Sequence, residues 1–527
     1  MTQNSENEHN TTEGGNSEQR DTDNIVRALG KSAVVIFLGT FLELGISLIT
    51  KLIIAQQLVP ANYGEVSIGL TILLVTSIVS QLGFDTGIPR TIPRYEGSDR
   101  RGVFISAFQL NAIISLILAG FVFIAAGFIA DLLGNPALKS VLRVVAFGVP
   151  AMPLMRLAIS STQSVGRSVP KVIVQNLLHP ITRVIIIGVT ILLGATPVTV
   201  AGAYVVTNWI GAVAACYFLV RHTRILNANI GWTPKHREIL KYSLPLMATT
   251  GLTFILGNTD TLMIQYFRGS AEVGVYDIGY TIAQTLPFGL ASLSYLFLPN
   301  ISNLHADGEW SQITHLYKLV SKWVVFVTVP PFLLISCFPS ILISHTFGTE
   351  YLNGAPYLVI LAISYFVMAV TGPNQRALSA FGDTRAIFLV NALAAGVNIT
   401  LNYFLLILIG TLGAAIASSV SLIIVQLLYS YRLYTIYNIS PFSWALMKPI
   451  GTFVIVTITT YAIVRMTIGL PSLLGIIPVL MFAGILYTII IIVFGGIQED
   501  DIMLVRSAEQ SLGINLEPLK RIARRFM

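Results

Sequence analysis

Fourteen mostly apolar runs, each close to the ~20 residues that cross a bilayer as a helix, recur along the 527-residue chain. They lie near 31–54, 64–84, 103–130, 140–161, 170–194, 198–220, 242–266, 275–299, 323–346, 355–380, 386–409, 411–433, 445–468 and 472–495. In lipid a backbone must satisfy its own polar groups, so such runs fold as helices. Composition agrees: 54% of residues are apolar and 11% charged, against about a quarter charged in soluble domains. The expected fold class is an all-α membrane protein with 14 transmembrane helices.

Charge placement predicts orientation. The loops after even-numbered helices carry Arg90, Arg94, Arg100 and Arg101, then Arg156, Arg167 and Lys171, and later Arg221, Lys235 and Arg376. The loops after odd-numbered helices carry only Lys139, Arg143 and Arg268. Positive residues stay in the cytoplasm, which predicts a multi-pass protein of the cell membrane with both termini cytoplasmic. The formal charge of +7 then suits the anionic inner leaflet, and nucleic acid is not expected as a partner.

A repeat of about 210 residues divides the chain. NYGEVSIGLTI around Gly64 recurs as VGVYDIGYTI around Gly274, STQSVGRS around Gly166 as ALSAFGDTR around Gly382, and VAGAYVV around Gly202 as TLGAAIASS around Gly413. Six helices separate the copies, so both sit the same way up, as in transporters whose halves are related by an axis along the membrane normal. The expected organisation is a disordered cytoplasmic tail at 1–29, a six-helix lobe at 30–220, a linker at 221–240, a second six-helix lobe at 241–434, two extra helices at 435–495, and an amphipathic basic tail at 496–527.

Intramembrane ionisable groups cost about 2.5–3.5 kcal/mol each on insertion scales, so they are the candidates for function. Glu43, Ser47 and Thr50 share one face of helix 1; a shift of 210 gives Thr253, Gly257 and Asp260 on helix 7. Both stripes are expected to line a hydrated cavity between the lobes. Helix 5 adds Asn176, His179 and Arg183, and helix 11 carries Asn391, Asn398 and Asn402; interhelical polar packing is the alternative for the asparagines. Lys51 is a cavity candidate or a snorkelling interface lysine. His179 is a packing histidine or a proton site. Arg90, which follows Pro89 at a helix end, is a topology determinant or part of a rim that attracts phosphate at the cytoplasmic entrance.

Catalytic patterns are missing: no GxxxxGK[ST], HExxH or nucleophile elbow occurs. Cys216 and Cys337 lie in apolar runs and read as small buried hydrophobes. No cofactor or metal is implied, and the chain is not expected to be an enzyme.

The segment LIIAQQLVPANYGEVSIGLTILLVTSIVSQLGFDTGIPR closely resembles the first two helices of polysaccharide-biosynthesis flippases, a branch of the multidrug/oligosaccharidyl-lipid/polysaccharide exporter superfamily. SLPLMATTGLTFILGNTDTLMIQYFRGSAEVGVYDIGYTI looks like the start of that family's second lobe, with Asp260 at its recurrent acidic position. The resemblance covers roughly residues 30–440. It implies alternating access and movement of a polyprenol- or dolichol-phosphate-linked oligosaccharide, with membrane lipids as partners and H+ or Na+ as the coupling ion to consider. Arg183 and Lys51 fit the family's cationic cavities, while Glu43 and Asp260 depart from that pattern. A cation-coupled multidrug exporter and a membrane glycan polymerase or ligase are the alternatives; the short external loops disfavour the second.

Overall fold

The computed structural model describes residues 39–223 except Ser168, residues 231–440, and the isolated residues Gly451, Val454 and Tyr487. The tails expected at 1–29 and 496–527, and the two helices expected at 445–468 and 472–495, lie outside the described residues apart from those three.

Among the described residues every regular element is helical. The first six helices are α1 (Gly39–Gln57), α2 (Pro60–Arg94), α3 (Gly97–Leu132), α4 (Leu138–Gln163), α5 (Lys171–Leu192) and α6 (Pro197–His222). The second six begin with α7 (His236–Arg268) and α8, which is in two pieces, Ser270–Ala283 and Phe288–Ala306. They continue with α9 (Trp310–Cys337), α10 (Thr349–Val370), α11 (Thr384–Ile409) and α12 (Thr411–Tyr437). All but the broken α8 are long and apolar enough to cross a membrane. In the most apolar stretch of α3 only 17% of residues are buried, and Ile124, Leu192 and Leu408 are largely exposed. Surface of that kind needs lipid as its solvent.

Several boundaries differ from the hydropathy reading, two of them for a plain physical reason. The helix expected to begin at 242 starts at His236, because its first turn is polar outside and buries only Ile239. The run expected at 323–346 is two helices, Trp310–Cys337 and Pro339–Thr346. Proline disfavours helical backbone in the residue before it, and Phe338 has φ −127° and ψ 41°.

Residues related by the 210-residue shift meet each other. A Cβ on Gly64 would lie 1.8 Å from the Ser270 carbonyl oxygen, and one on Gly274 would lie 2.1 Å from the Pro60 carbonyl oxygen. Pro60 shifts to Ser270 and Gly64 to Gly274, so each side of the contact repeats the other, as across a two-fold axis. The shift also relates Gly69, packed on Val141 of α4, to Gly279, packed on Gly354 and Leu358 of α10. Around this contact one buried cluster, including Ile54, Tyr63, Val66, Val273, Tyr276, Tyr351 and Leu358, runs through both sets of six helices.

Near the opposite, Lys/Arg-rich end, the start of α7 docks on α2 and α3. Lys235 Nζ lies 3.2 Å from Asp99 Oδ2, Thr233 donates to Asp99, and Tyr95 donates to Glu238. Gly83, at φ 74° where α2 breaks, would bring a Cβ within 2.6 Å of the Ser243 carbonyl oxygen; here glycine supplies both the left-handed backbone and the close approach. Changing Gly64 to Ala is expected to destabilise the protein by about 1–3 kcal/mol through overpacking. Gly120→Ala, whose Cβ would meet nothing within 4 Å, is the control. Thermal unfolding in detergent compares the two.

Candidate functional site

The helices surround a cavity of 570 Å³ between α1 on one side and α8, α10 and α12 on the other. Its polar lining consists of Ser47 and Lys51 from α1, Thr281, Gln284, Thr285 and Ser294 from α8 and the break within it, Asn374, Gln375 and Arg376 after α10, and Gln426 from α12. Among the described residues two cations and no carboxylate line it. Asn374 donates to Gln426 Oε1 at 2.9 Å, which holds two carboxamides together at the wall. The side chain of Arg376 is exposed, and among the described residues no carboxylate lies within ion-pair distance of it.

The candidates on α1 and α5 come together beside this cavity. Arg183 donates to Ser47 Oγ at 2.6 Å, and its guanidinium lies over the Tyr204 ring at 5.5 Å. Asn176 donates to Thr40 at 3.3 Å, and His179 Nε2 lies 2.9 Å from Asn208 Oδ1. Glu43 is half-buried, with Arg183, Lys171 and Arg156 as its cationic neighbours. The α5 backbone is widened to π geometry over Lys171–Leu178, just before Pro180. Pro180 has no N–H to close the turn onto Asn176, and such irregularities recur at functional positions. Ser47 belongs both to this cluster and to the cavity wall, so Arg183 stands behind the lining.

The α7 stripe departs from the expectation of a shared cavity. Asp260 is 2% exposed and turns into its own six helices. Tyr276 donates to its Oδ2 at 2.5 Å, Asn402 to its Oδ1 at 2.8 Å, and Ser418 donates as well. The stripe on α11 supplies one of these donors, Asn402, while Asn398 reaches Ser418 Oγ at 3.0 Å and Asn391 accepts from Tyr429. A buried carboxylate must be hydrogen-bonded, and α8, α11 and α12 each supply one donor to this one. The Oδ1 atoms of Asn398 and Asn402 are buried without a partner.

Lys51 also departs from a snorkelling role. Its Nζ lies 3.0 Å from Asp277 Oδ2 and 2.7 Å from Thr281 Oγ1, so it ties α1 to α8. Tyr63 of α2 donates to the same Asp277 oxygen at 2.8 Å. Nearby, Tyr351 donates to the Leu58 carbonyl at 2.7 Å and Gln56 to that of Thr346 at 2.7 Å. These bonds surround the Gly64–Gly274 contact and seal that end of the bundle. Arg90 is exposed at the Lys/Arg-rich end.

Sequence reasoning missed Asp277 and the carboxamides. Asp277 lies two residues inside the run expected at 275–299, where a charge reads as interfacial; its cue was an unpaired acid inside the VGVYDIGYTI repeat. Asn374 and Gln426 carry no charge to mark them, and a polar residue in an apolar run usually serves packing.

Fold and cleft together define a polytopic helical-bundle membrane protein with a polar, cationic opening between two related sets of helices. The profile of the family described as "Polysaccharide biosynthesis protein" matches residues 29–305, more than half of the chain, and the chain belongs to that family. The MatE profile matches residues 245–404. The probable low-salt glycan biosynthesis flippase Agl15 of Haloferax volcanii is 22% identical over 267 residues, covering 50% of this chain and 56% of that protein. Lipopolysaccharide biosynthesis protein WzxC of Escherichia coli is 21% identical over 404 residues, covering 71% of this chain and 77% of WzxC. An uncharacterized membrane protein of Methanocaldococcus jannaschii, MJ1068, is matched over only 36% of its length; for it and for Agl15, the chain spans under two thirds of the relative. In fold, the chain is similar to the lipid II flippase MurJ in an inward closed conformation, with TM-score 0.73, 15% identity, and coverage of 89% of this chain and 100% of that one. An inward-facing multidrug-resistance MATE transporter follows with TM-score 0.61, 13% identity, and coverage of 75% and 94%.

Removing the Asp260 carboxylate leaves the groups of Tyr276, Asn402 and Ser418 unpaired in a buried site. At about 1–3 kcal/mol per unsatisfied group, Asp260→Ala is expected to lower the unfolding temperature more than Asp260→Asn, which keeps one acceptor oxygen.

Proposed function

We propose that the protein is a flippase that carries a lipid-linked oligosaccharide on a polyprenol- or dolichol-phosphate carrier across the cell membrane, a transporter and not a catalyst. The observation that carries this reading is the cavity wall, which among the described residues holds Lys51, Arg376, hydroxyls and carboxamides and no carboxylate. A phosphate crossing a low-dielectric region needs cations to offset its desolvation. Sugar hydroxyls both donate and accept, which suits Asn374, Gln426 and Gln284. Family membership and the named function of Agl15 point the same way.

In this reading residues 30–220 and 241–434 act as two lobes, both termini face the cytoplasm, and the sealed Gly64–Gly274 end faces outward. Arg376 receives the phosphate at the cytoplasmic mouth, and Arg90 belongs to the rim that gathers it. Arg183 holds Ser47 and the positive potential behind the wall. The Asp260 pocket takes a small monovalent cation as the coupling ion: one buried carboxylate lies beside two unpartnered amide oxygens, and hard cations take oxygen ligands. The MatE match supports a second reading, a cation-coupled multidrug exporter. A wall without carboxylates among the described residues suits an organic cation poorly.

Vesicles containing the purified protein and a fluorescent polyprenyl-phosphate-linked saccharide test both claims. Wild type is expected to move the lipid between leaflets with a dependence on sodium, and Arg376→Gln is expected to slow this roughly tenfold, the loss of one charge-assisted contact. Asp260→Asn is expected to abolish the sodium dependence. Export of a cationic dye with no movement of the glycolipid would instead favour the exporter.

A further inference from the structure

We propose that Lys51 is both the innermost phosphate-binding residue of the cavity and the release for the outer seal: the phosphate of the lipid carrier displaces Asp277 from the lysine, and that exchange frees α1 from α8. The inference rests on the flippase reading for the identity of the anion, but its geometry stands by itself.

Three observations carry it. First, Lys51 has two faces. Its side chain lines the cavity, keeping 29% exposure, while Asp277 keeps 12%, so an incoming anion reaches the ammonium more readily than the carboxylate. Second, the pair joins α1 to α8 across the contact between the two sets of helices. Among the described residues it is the one ion pair between α1 and α8, and the same ammonium also donates to Thr281. The remaining bonds at the seal come from neutral donors, such as Tyr351 to the Leu58 carbonyl, Asn135 to Ser270 and the Tyr63 hydroxyl to Asp277. Among the contacts described, α1 meets α8 elsewhere only through the Phe41 and Phe288 rings. Third, Lys51 sits at the sealed end of a cavity whose other cation, Arg376, follows α10 toward the opposite end. A phosphate that enters beside Arg376 and moves inward next meets Lys51.

The exchange is favoured because a polyprenyl phosphate joined to a saccharide, a phosphodiester, brings one negative charge on two free acceptor oxygens, against one charge and one engaged oxygen from Asp277. The monoester headgroup of farnesyl phosphate adds a further charge and a further oxygen. Once Lys51 turns to the phosphate, Asp277 keeps only the Tyr63 hydroxyl from the first six helices. A partly buried carboxylate without its cation is destabilised, which favours separation of the outer ends. Opening is thereby coupled to the presence of cargo through a differential contact, as a ligand-driven shift between two states requires.

The test follows access to the seal, a readout separate from transport. Leu58 is 4% exposed within it. Leu58→Cys is placed in a background carrying Cys216→Ala and Cys337→Ala, in right-side-out vesicles, and labelled with a membrane-impermeant maleimide from outside. Farnesyl phosphate is expected to raise labelling about fivefold or more, while farnesol and inorganic phosphate leave it unchanged. Asp277→Asn and Lys51→Gln are each expected to raise basal labelling by a similar factor and to abolish the response. The double variant Lys51→Asp with Asp277→Lys is expected to return basal labelling to the wild-type level, which separates loss of the charge pair from misfolding. The proposal fails if Asp277→Asn labels like wild type, if farnesyl phosphate leaves wild-type labelling unchanged, or if inorganic phosphate alone opens the seal. Glycolipid movement by wild type, measured separately, decides the flippase reading whichever way labelling turns out.

Discussion

The backbone approach of α2 to α8 at Gly64 and Gly274 organises the rest of the molecule. Two helices can come that close only where neither carries a Cβ, and the carbonyls of Pro60 and Ser270 occupy the space. Because the residues on the two sides are repeat equivalents, the contact acts as a local two-fold and fixes how the two sets of six helices face each other. It brings Tyr63 and Lys51 onto Asp277, draws Tyr351 onto the carbonyls after Ile54, and makes one apolar core continuous across the pair. Away from it the cavity opens between α1 and α8, α10 and α12, and α1 meets α8 again where the Phe41 and Phe288 rings lie 5.0 Å apart.

Charged groups inside this bundle follow two different solutions to the same cost. Asp260 is enclosed by donors from three helices and belongs to the interior of its own half. Lys51 and Asp277 satisfy each other across the two halves while remaining partly accessible. The first arrangement leaves both Asp260 oxygens engaged by buried donors. The second is exchangeable, because a cation at a cavity wall can be claimed by another anion without creating a fully buried orphan charge. Arg183 falls between these, engaged with Ser47 on one side and with the Tyr204 ring on the other.

The cavity wall bears on selectivity. In the proposed reading its hydroxyls and carboxamides, which both donate and accept, match a saccharide without demanding a single stereochemistry. The cations discriminate more sharply, since like charge in a low-dielectric cleft is strongly unfavourable. Polarity of the wall, and not the fold, is thus what distinguishes a carrier of anionic lipids from a carrier of cationic drugs on the same scaffold.

Much of this was legible in the chain alone. Apolar run length dictated helices because lipid offers the backbone no other partner, and the 210-residue recurrence of NYGEVSIG as VGVYDIGY already marked Gly64 and Gly274 as equivalent. The scarcity of intramembrane charge singled out Glu43, Lys51, Arg183 and Asp260. What only the tertiary structure decided was where those charges point. Helical periodicity assigns a residue to a face, but whether that face meets a cavity, a neighbouring helix or the other half depends on how helices distant in sequence are packed. Asp260 therefore went to Tyr276, Asn402 and Ser418 of its own half and not to the shared opening, and Lys51 found Asp277, 226 residues away, a pairing that no local pattern encodes.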